Sequence, residues 1–294
     1  MRVLVTGGSG RLGRSVVEVF ARRGHEVTSV DAFPGPERPG VEFRKADLLD
    51  DEARAQVFAD VRPEAVAHLA GIAVPHARPG AETVAVNARL AWGVLDDARA
   101  HGAHSVAAAS SPTVFGYGSA DWTPERLPLD EGHPVAPVHA YGLSKAVIEE
   151  AVRTLARTSD GGCVFTAVRP GYVIAPEEWE GAPTQQGHTV AERLARPELA
   201  AASLFNYIDA EDAAELFALI AEDRSGAAQG RVLHAIAEDP MAEGPLSDLL
   251  PRFHPGTAAA AASLAPGQAA FSSAQAQRLL GWAPRHTWRE RLRS

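Results

Sequence analysis

The chain has 294 residues, 46% hydrophobic and 22% charged, a length and composition that support a sizeable core and exclude a disordered polymer. Its formal net charge is −9 with no block of like-charged residues, which argues against nucleic acid or an anionic membrane as the main partner. A single cysteine, Cys163, opens an apolar run, excludes an internal disulfide framework, and reads as a buried structural thiol in a reducing compartment.

Met1 to Thr6 is a short aliphatic run without a basic-then-apolar leader. No stretch reaches the ~18 apolar residues that span a bilayer, so the expectation is a soluble, cytoplasmic protein. The run suits a strand buried on both faces and passes directly into Gly7-Gly8-Ser9-Gly10-Arg11-Leu12-Gly13. A helical pattern of Leu12, Val16, Val17 and Phe20 follows. Strand, glycine loop and helix in that order form a dinucleotide cradle. The glycines let the backbone approach a pyrophosphate, and the helix N-terminus supplies free N–H groups and a favourable dipole. A second strand, Glu26 to Val30, ends at Asp31. A carboxylate there accepts bonds from adenosine ribose hydroxyls and repels a 2′-phosphate, which favours NAD over NADP; Arg11, Arg14 and Arg38 are the competing hint.

The alternation continues with a strand over Val41–Lys45, a helix over Asp51–Asp60 and a strand over Glu64–Leu69 that closes on Ala70-Gly71. Residues 82–101 read as a long helix apolar on more than one face, and Ser105–Ala109 as a fifth strand ending at Ser110-Ser111. Residues 112–137 are irregular and rich in Pro and Gly. A helix from Tyr141 to about Ala156 and a strand from Cys163 to Val168 come next, the strand stopped by Arg169-Pro170-Gly171. Later elements are a helix at Val190–Leu194, a strand at Leu204–Ile208, a helix at Ala210–Ile220 and a last parallel strand at Val232–Ile236. The Ala-rich Thr257–Ala265 reads as a small helix or a linker, and Ser272–Leu280 as a helix capped by Gly281. This rhythm predicts an α/β, doubly wound parallel-sheet Rossmann fold. Residues 1–171 and 204–236 form the nucleotide-binding domain, and 172–203 with 237–294 a small, discontinuous substrate-binding region.

Chemistry concentrates in Ala140-Tyr141-Gly142-Leu143-Ser144-Lys145. Tyrosine and lysine four apart share a helix face. A phenol of pKa near ~10 is a poor base at neutral pH, and a neighbouring ammonium favours its ionised form. Chance alone places such a pair in roughly 3% of chains of this composition. Of 28 Lys and Arg residues only Lys45 and Lys145 are lysines, so a lysine here points to a role arginine fills poorly. His68, His133, His139, His188, Glu177, Glu178 and Trp179 read as structural or solvent-facing, with one or two of the pocket-flanking ones touching substrate. No His/Cys/Asp cluster has metal-site spacing, so no metal is expected.

With these pieces placed, the chain resembles an extended short-chain dehydrogenase/reductase of the NAD-dependent epimerase/dehydratase family. The carrying residues are Thr6-Gly7-Gly8-x-Gly10-x-x-Gly13, Asp31, Asp47-Leu48, His68-Leu69-Ala70-Gly71, Asn87 and Ser110-Ser111-x-Thr113-Val114-Phe115-Gly116. They continue with Tyr141-x-x-x-Lys145, Arg169-Pro170-Gly171, Tyr207-Ile208-x-x-x-Asp212-Ala213-Ala214 and Leu280-Gly281-Trp282-x-Pro284. The resemblance implies that Gly7, Gly10 and Gly13, with Arg11 and Leu12, approach the pyrophosphate, Asp31 the adenosine ribose, and Asp47 and Leu48 the adenine. It places Leu69, Ala70, Gly71, Asn87, Pro170 and Val173 on the remainder of NAD. Ala73, Pro112, Thr113 and Tyr172 would border the substrate. Ser111 would bond the reacting oxygen, Tyr141 would be the general acid/base, and Lys145 would hold the nicotinamide ribose and help ionise Tyr141. The implied reaction is hydride transfer between a substrate carbon and the nicotinamide, with Tyr141 exchanging the hydroxyl proton.

Three departures qualify the substrate. Phe115 stands where relatives commonly carry tyrosine. Tyr172-Val173 replaces an asparagine directed at a substrate pyrophosphate, and the substrate region is short for a nucleotide sugar. Dehydration is discounted because Pro112-Thr113 lacks an acid pair. The expected substrate is a sugar or nucleotide sugar. The alternatives are a uronate-dehydrogenase-like enzyme, a ketoreductase of small secondary metabolites, and a non-catalytic dinucleotide sensor. Helices 82–101 and 141–156 resemble those that pair in family homodimers.

Overall fold

Along the strand β1 (Arg2–Thr6) every side chain from Val3 onward is buried, Val3 and Val5 towards one apolar layer and Leu4 towards the other. That two-sided burial is what a central parallel strand requires. Next come α1 (Arg11–Arg22), β2 (Glu26–Asp31), β3 (Val41–Lys45), α2 (Asp51–Val61), β4 (Ala65–His68), α3 (Gly80–Ala100), β5 (Ser105–Ala109) and α4 (Ala140–Thr158). They are followed by β6 (Val164–Pro170), β7 (Val173–Ile174), α5 (Pro176–Trp179), α6 (Val190–Ala195), α7 (Pro197–Ala201), β8 (Ile208–Asp209), α8 (Ala210–Glu222) and β9 (Val232–Ala235). The helices α9 (Leu246–Phe253), α10 (Ala258–Ala261), α11 (Ala274–Leu280) and α12 (Trp288–Arg291) follow in this computed structural model, which describes residues 1–159 and 161–293.

Seven strands form one parallel sheet in the order β3-β2-β1-β4-β5-β6-β9. Helices α1, α8 and α11 bury their apolar faces on one side of it, and α2, α3 and α4 on the other. This is the doubly wound Rossmann arrangement expected from the sequence. The strand order reverses between β1 and β4. Their following loops therefore diverge and open a crevice at the C-terminal edge of the sheet.

The structure corrects one expectation among the elements. The strand expected over Leu204–Ile208 is reduced to β8, which pairs in parallel with β7 in a separate two-stranded sheet. Leu204 and Phe205 have φ of +50° and +60°, a left-handed backbone that cannot join a ladder. Both side chains are instead fully buried, in a cluster that unites Val114–Leu129 with Phe271 and α9. Residues 114–129 therefore pack with C-terminal segments rather than in the two apolar layers that flank the sheet. Of the two readings of the Ala-rich segment, the small helix holds as α10, and Ala261 and Leu264 insert into the same cluster.

A buried ion pair ties α4 to the sheet. Glu149 and Arg169 are both fully buried, joined by Nε–Oε1 and Nη2–Oε2 bonds of 2.6 and 2.8 Å, and Ser110 Oγ donates to Glu149 at 2.7 Å. Replacing Arg169 leaves the buried Glu149 carboxylate with only the more exposed Arg153, 3.2 Å away, as a charged partner. Arg169→Met is expected to destabilise the fold by about 3–5 kcal/mol. Urea denaturation checks this as a lower midpoint at an unchanged slope.

Candidate active site

The loop after β1 is built to admit no side chain. Gly7 has φ +72°, and a Cβ there would lie 2.6 Å from the Ala70 amide nitrogen; a Cβ on Gly13 would lie 2.1 Å from the Gly7 carbonyl oxygen. Gly10 caps α1 with no side-chain bond, so the first-turn N–H groups of the helix face outward uncapped. Arg11 beside them forms an ion pair with Glu178 and donates to the Pro183 carbonyl at 3.0 Å, while its buried Nη1 has no partner among the described residues. A backbone cradle, a free helix N-terminus and an unsatisfied buried cation group fit a pyrophosphate.

Across the crevice, Ser111 follows β5 and opens the turn Pro112–Phe115. Its Oγ accepts bonds from the Thr113 amide at 3.3 Å and the Thr113 hydroxyl at 3.0 Å, which leaves its own proton to donate. Tyr141 and Lys145 occupy the first turns of α4. Lys145 Nζ donates to the Ala109 carbonyl at 3.0 Å and lies 5.6 Å from the Tyr141 ring centre. Burial pushes the Tyr141 phenol up to about 12, against a downward pull from the Ser111 hydroxyl beside it. Burial also lowers Lys145 to about 8. Desolvation disfavours both charged forms, leaving a phenol that holds its proton and an amine that gives up its proton more readily than an ordinary lysine while staying mostly protonated at neutral pH. His68, at the end of β4, is kept neutral at about 3 by burial and then by the charge of Lys145; its Nδ1 lies 2.7 Å from Thr6 Oγ1.

These groups border one cleft of about 450 Å³. Of the residues expected from the sequence, Gly7, Gly10, Arg11, Leu12, Gly13, Leu69, Ala73, Ser111, Pro112, Thr113, Tyr141, Lys145, Pro170, Tyr172 and Val173 line it. Ala70 and Gly71 lie just behind the glycine loop rather than on the cleft wall. Asp31 ends β2 with its carboxylate accepting from the Ser9 amide at 3.1 Å and the Phe33 amide at 3.2 Å. Asp47 is exposed and accepts from the Leu49 amide. The Leu48 side chain is buried in the core, so only its backbone is left for an adenine. Asn87 is buried away from the cleft. Its amide is spent on the Ile72 backbone, at 2.7 and 3.1 Å, and on Ser144 Oγ at 2.9 Å, so it positions the loop after β4 against α4.

The three arginines that hinted at NADP are each engaged by a glutamate: Arg11 by Glu178, Arg14 by Glu177 and Arg38 by Glu18. Tyr117, Gln185, Gln186, Ser203 and Asn206 also line the cleft and were not anticipated. They come from irregular segments without a periodic signal; the aromatic residue two after Phe115 was the one available clue. Phe115 itself is buried, with Arg169 stacked 4.5 Å over its ring. Asp209, Glu211 and His286 bring ligand atoms within 4.8 Å of one another, but Arg291 already bridges the two carboxylates.

Residues 3–235 match the model of the NAD dependent epimerase/dehydratase family. The chain belongs to that family. NAD is the cofactor its description names. Among curated relatives, the UDP-glucose 4-epimerase of Mus musculus is 32% identical over 176 residues, 53% of this chain and 49% of that protein. The chain spans about half the length of the curated relatives it matches. A short-chain dehydrogenase/reductase superfamily protein of Agrobacterium tumefaciens, solved with bound NAD, superposes with a TM-score of 0.73 at 24% identity over 99% of this chain and 94% of that one. A Thermotoga maritima UDP-glucose 4-epimerase solved with UDP-glucose gives a TM-score of 0.72 at 20% identity, covering 99% and 96%. At these identities the solved structures share the epimerase-family fold.

Lys145 gives the site a pH signature. Folded, it releases its proton near 8; unfolded, near its ordinary 10.5, so the unfolded chain binds more protons between these values and stability rises with pH. Lys145→Met is expected to lack that rise, read as the difference between urea midpoints at pH values on either side of 9.

Proposed function

We propose that this chain is an NAD-dependent oxidoreductase or epimerase acting at a secondary hydroxyl or ketone of a sugar or nucleotide sugar. The observation that carries this is the meeting of Ser111, Tyr141 and Lys145 with a glycine-only cradle in one cleft. NAD, when bound, supplies hydride exchange with the substrate carbon. The backbone around Gly7, Gly10 and Gly13 would hold its pyrophosphate and Asp31 its adenosine ribose. Ser111 would donate to the reacting oxygen while Tyr141 gives or takes the hydroxyl proton. Lys145, mostly protonated at neutral pH, would fix a ribose hydroxyl and lower the cost of a phenolate beside it. Tyr141→Phe is expected to keep NAD binding and to lower turnover by roughly 10²–10⁴-fold. The assay follows NADH formation or epimer interconversion with UDP-glucose, UDP-galactose and free uronates, and unchanged turnover would remove Tyr141 from the chemistry.

The proposal includes a homodimer. Helices α3 and α4 pack side by side, yet Trp92, Leu143 and Val147 on them stay exposed, an apolar surface that a second copy would cover. Light scattering is expected to show a dimer that Leu143→Glu converts to a monomer; a monomeric wild type overturns it. No described helix is long and apolar enough to cross a membrane. The single, buried cysteine supports a cytoplasmic setting.

A further inference from the structure

The helix that carries Tyr141 and Lys145 starts on a histidine. His139 is the N-cap of α4, in extended backbone, and its Nδ1 accepts from the Gly142 amide at 3.0 Å. The other side-chain caps of the described α-helices are oxygens: Asp50 on α2, Thr189 on α6, Asp209 on α8 and Thr287 on α12. The difference is chemical. A hydroxyl keeps a lone pair for the helix at every ordinary pH and a carboxylate down to about pH 4, whereas an imidazole that gains a proton has two donors and no acceptor. An imidazolium also meets the positive end of the helix dipole. One proton therefore removes this cap and sets a positive charge against the helix.

The cap stands at the junction of the groups that must meet. A Cβ on Gly142 would lie 2.9 Å from the Thr113 carbonyl and 3.3 Å from His139 Cε1, so the capped turn is wedged between the histidine and the turn that Ser111 opens. The His139 and Tyr141 rings lie 6.2 Å apart between centres, with 23° between their planes. His76 stands 6.0 Å from His139, with φ +62°, in the loop after β4 whose Ala73, Val74 and Pro75 line the cleft. Tyr141 and His76 are the titratable groups facing the ring. Thr113 and Pro137 bring no charge to this turn, α3 meets it at Gly80 beside Ala140, and no carboxylate acts on the imidazole among the described residues. Burial, and then the charge of His76, hold His139 below its ordinary 6.5, so it is neutral and capping at neutral pH. The reacting groups themselves do not titrate just below neutrality. Tyr141 stands at about 12, Lys145 at about 8 and His68 at about 3, and no Asp, Glu or His lines the cleft among the described residues.

We propose that His139 is a positioning residue: its neutral imidazole holds the first turn of α4, and with it Tyr141, in register with Ser111, and protonation releases that turn. The inference rests on the reading of Tyr141 as the acid/base. It makes activity fall in weak acid through the loss of a helix cap, while the phenol and the lysine keep their protons.

The test compares the NAD-loaded wild type with His139→Asn and His139→Ala between about pH 5 and 8, by kcat/KM with UDP-glucose, UDP-galactose and free uronates and by urea denaturation. Wild-type kcat/KM falls on acidification by the factor of one lost N-cap, roughly three- to thirtyfold, and then levels. His139→Ala, which has no cap, sits near that lower level throughout. His139→Asn, whose amide oxygen caps without titrating, recovers most of the loss at neutral pH and stays flat. The unfolded histidine binds its proton near 6.5 and the folded one only at lower pH, so the stability it contributes is present above 6.5 and fades as pH falls below it. The urea midpoint of the wild type therefore drops relative to His139→Asn over that range. An acid fall of the same size in His139→Asn, or His139→Ala matching the wild type at neutral pH, overturns the proposal. If no sugar is turned over at any pH, the enzyme reading fails instead, and the urea comparison alone decides the cap: a wild type and His139→Asn that keep a constant gap across the range overturn it.

Discussion

Between the end of β1 and the end of β4 the two backbones run so close that a Cβ on Gly7 would stand 2.6 Å from the Ala70 nitrogen. Everything in the site depends on this contact. It lets the loop fold back under the N-terminus of α1, where a Cβ on Gly13 would meet the Gly7 carbonyl, and so leaves bare amides facing the crevice. It also fixes the loop after β4 on one side of the crevice. Asn87 then clamps that loop to Ser144, on the helix that carries Tyr141 and Lys145.

A second constraint orients the opposite bank. Glu149 lies one turn beyond Lys145 on α4 and holds Ser110 and Arg169 in a fully buried pair. Ser111, Tyr141 and Lys145 are thereby fixed relative to one another by charge and packing. Such rigidity suits a site whose reacting groups must meet within hydrogen-bond reach. Burial raises the phenol and lowers the amine, so the proton inventory of the site is governed by desolvation more than by the attraction of one group for the other.

The electrostatic contrast between the molecule and its cleft is the second theme. An acidic chain of net charge −9 places no carboxylate on the described wall of its cleft, and sets Arg11, Lys145 and the shielded Arg193 around it. The surface arginines near the nucleotide end are matched with glutamates. The interior one is left unmatched.

Much of this was legible in the residues because it depends on local chemistry. The run Val3-Leu4-Val5 requires burial on both faces, Gly7 to Gly13 require an absent Cβ, and Tyr141 with Lys145 require one helix face; each holds whatever the rest of the chain does. The parallel sheet and the edge that carries the cleft followed from the alternation of strands and helices. What only the tertiary structure decided lies where distant segments meet. Asn87 became a clamp and Leu48 a core residue because packing, not motif, sets where a side chain points. The left-handed Leu204 and Phe205 replaced an expected strand because their side chains fill a core shared with residues 114–129. Arg193 and Gln186 carry no local signal: a charge becomes uncompensated only when folding chooses its neighbours, and that choice is a property of the packed chain.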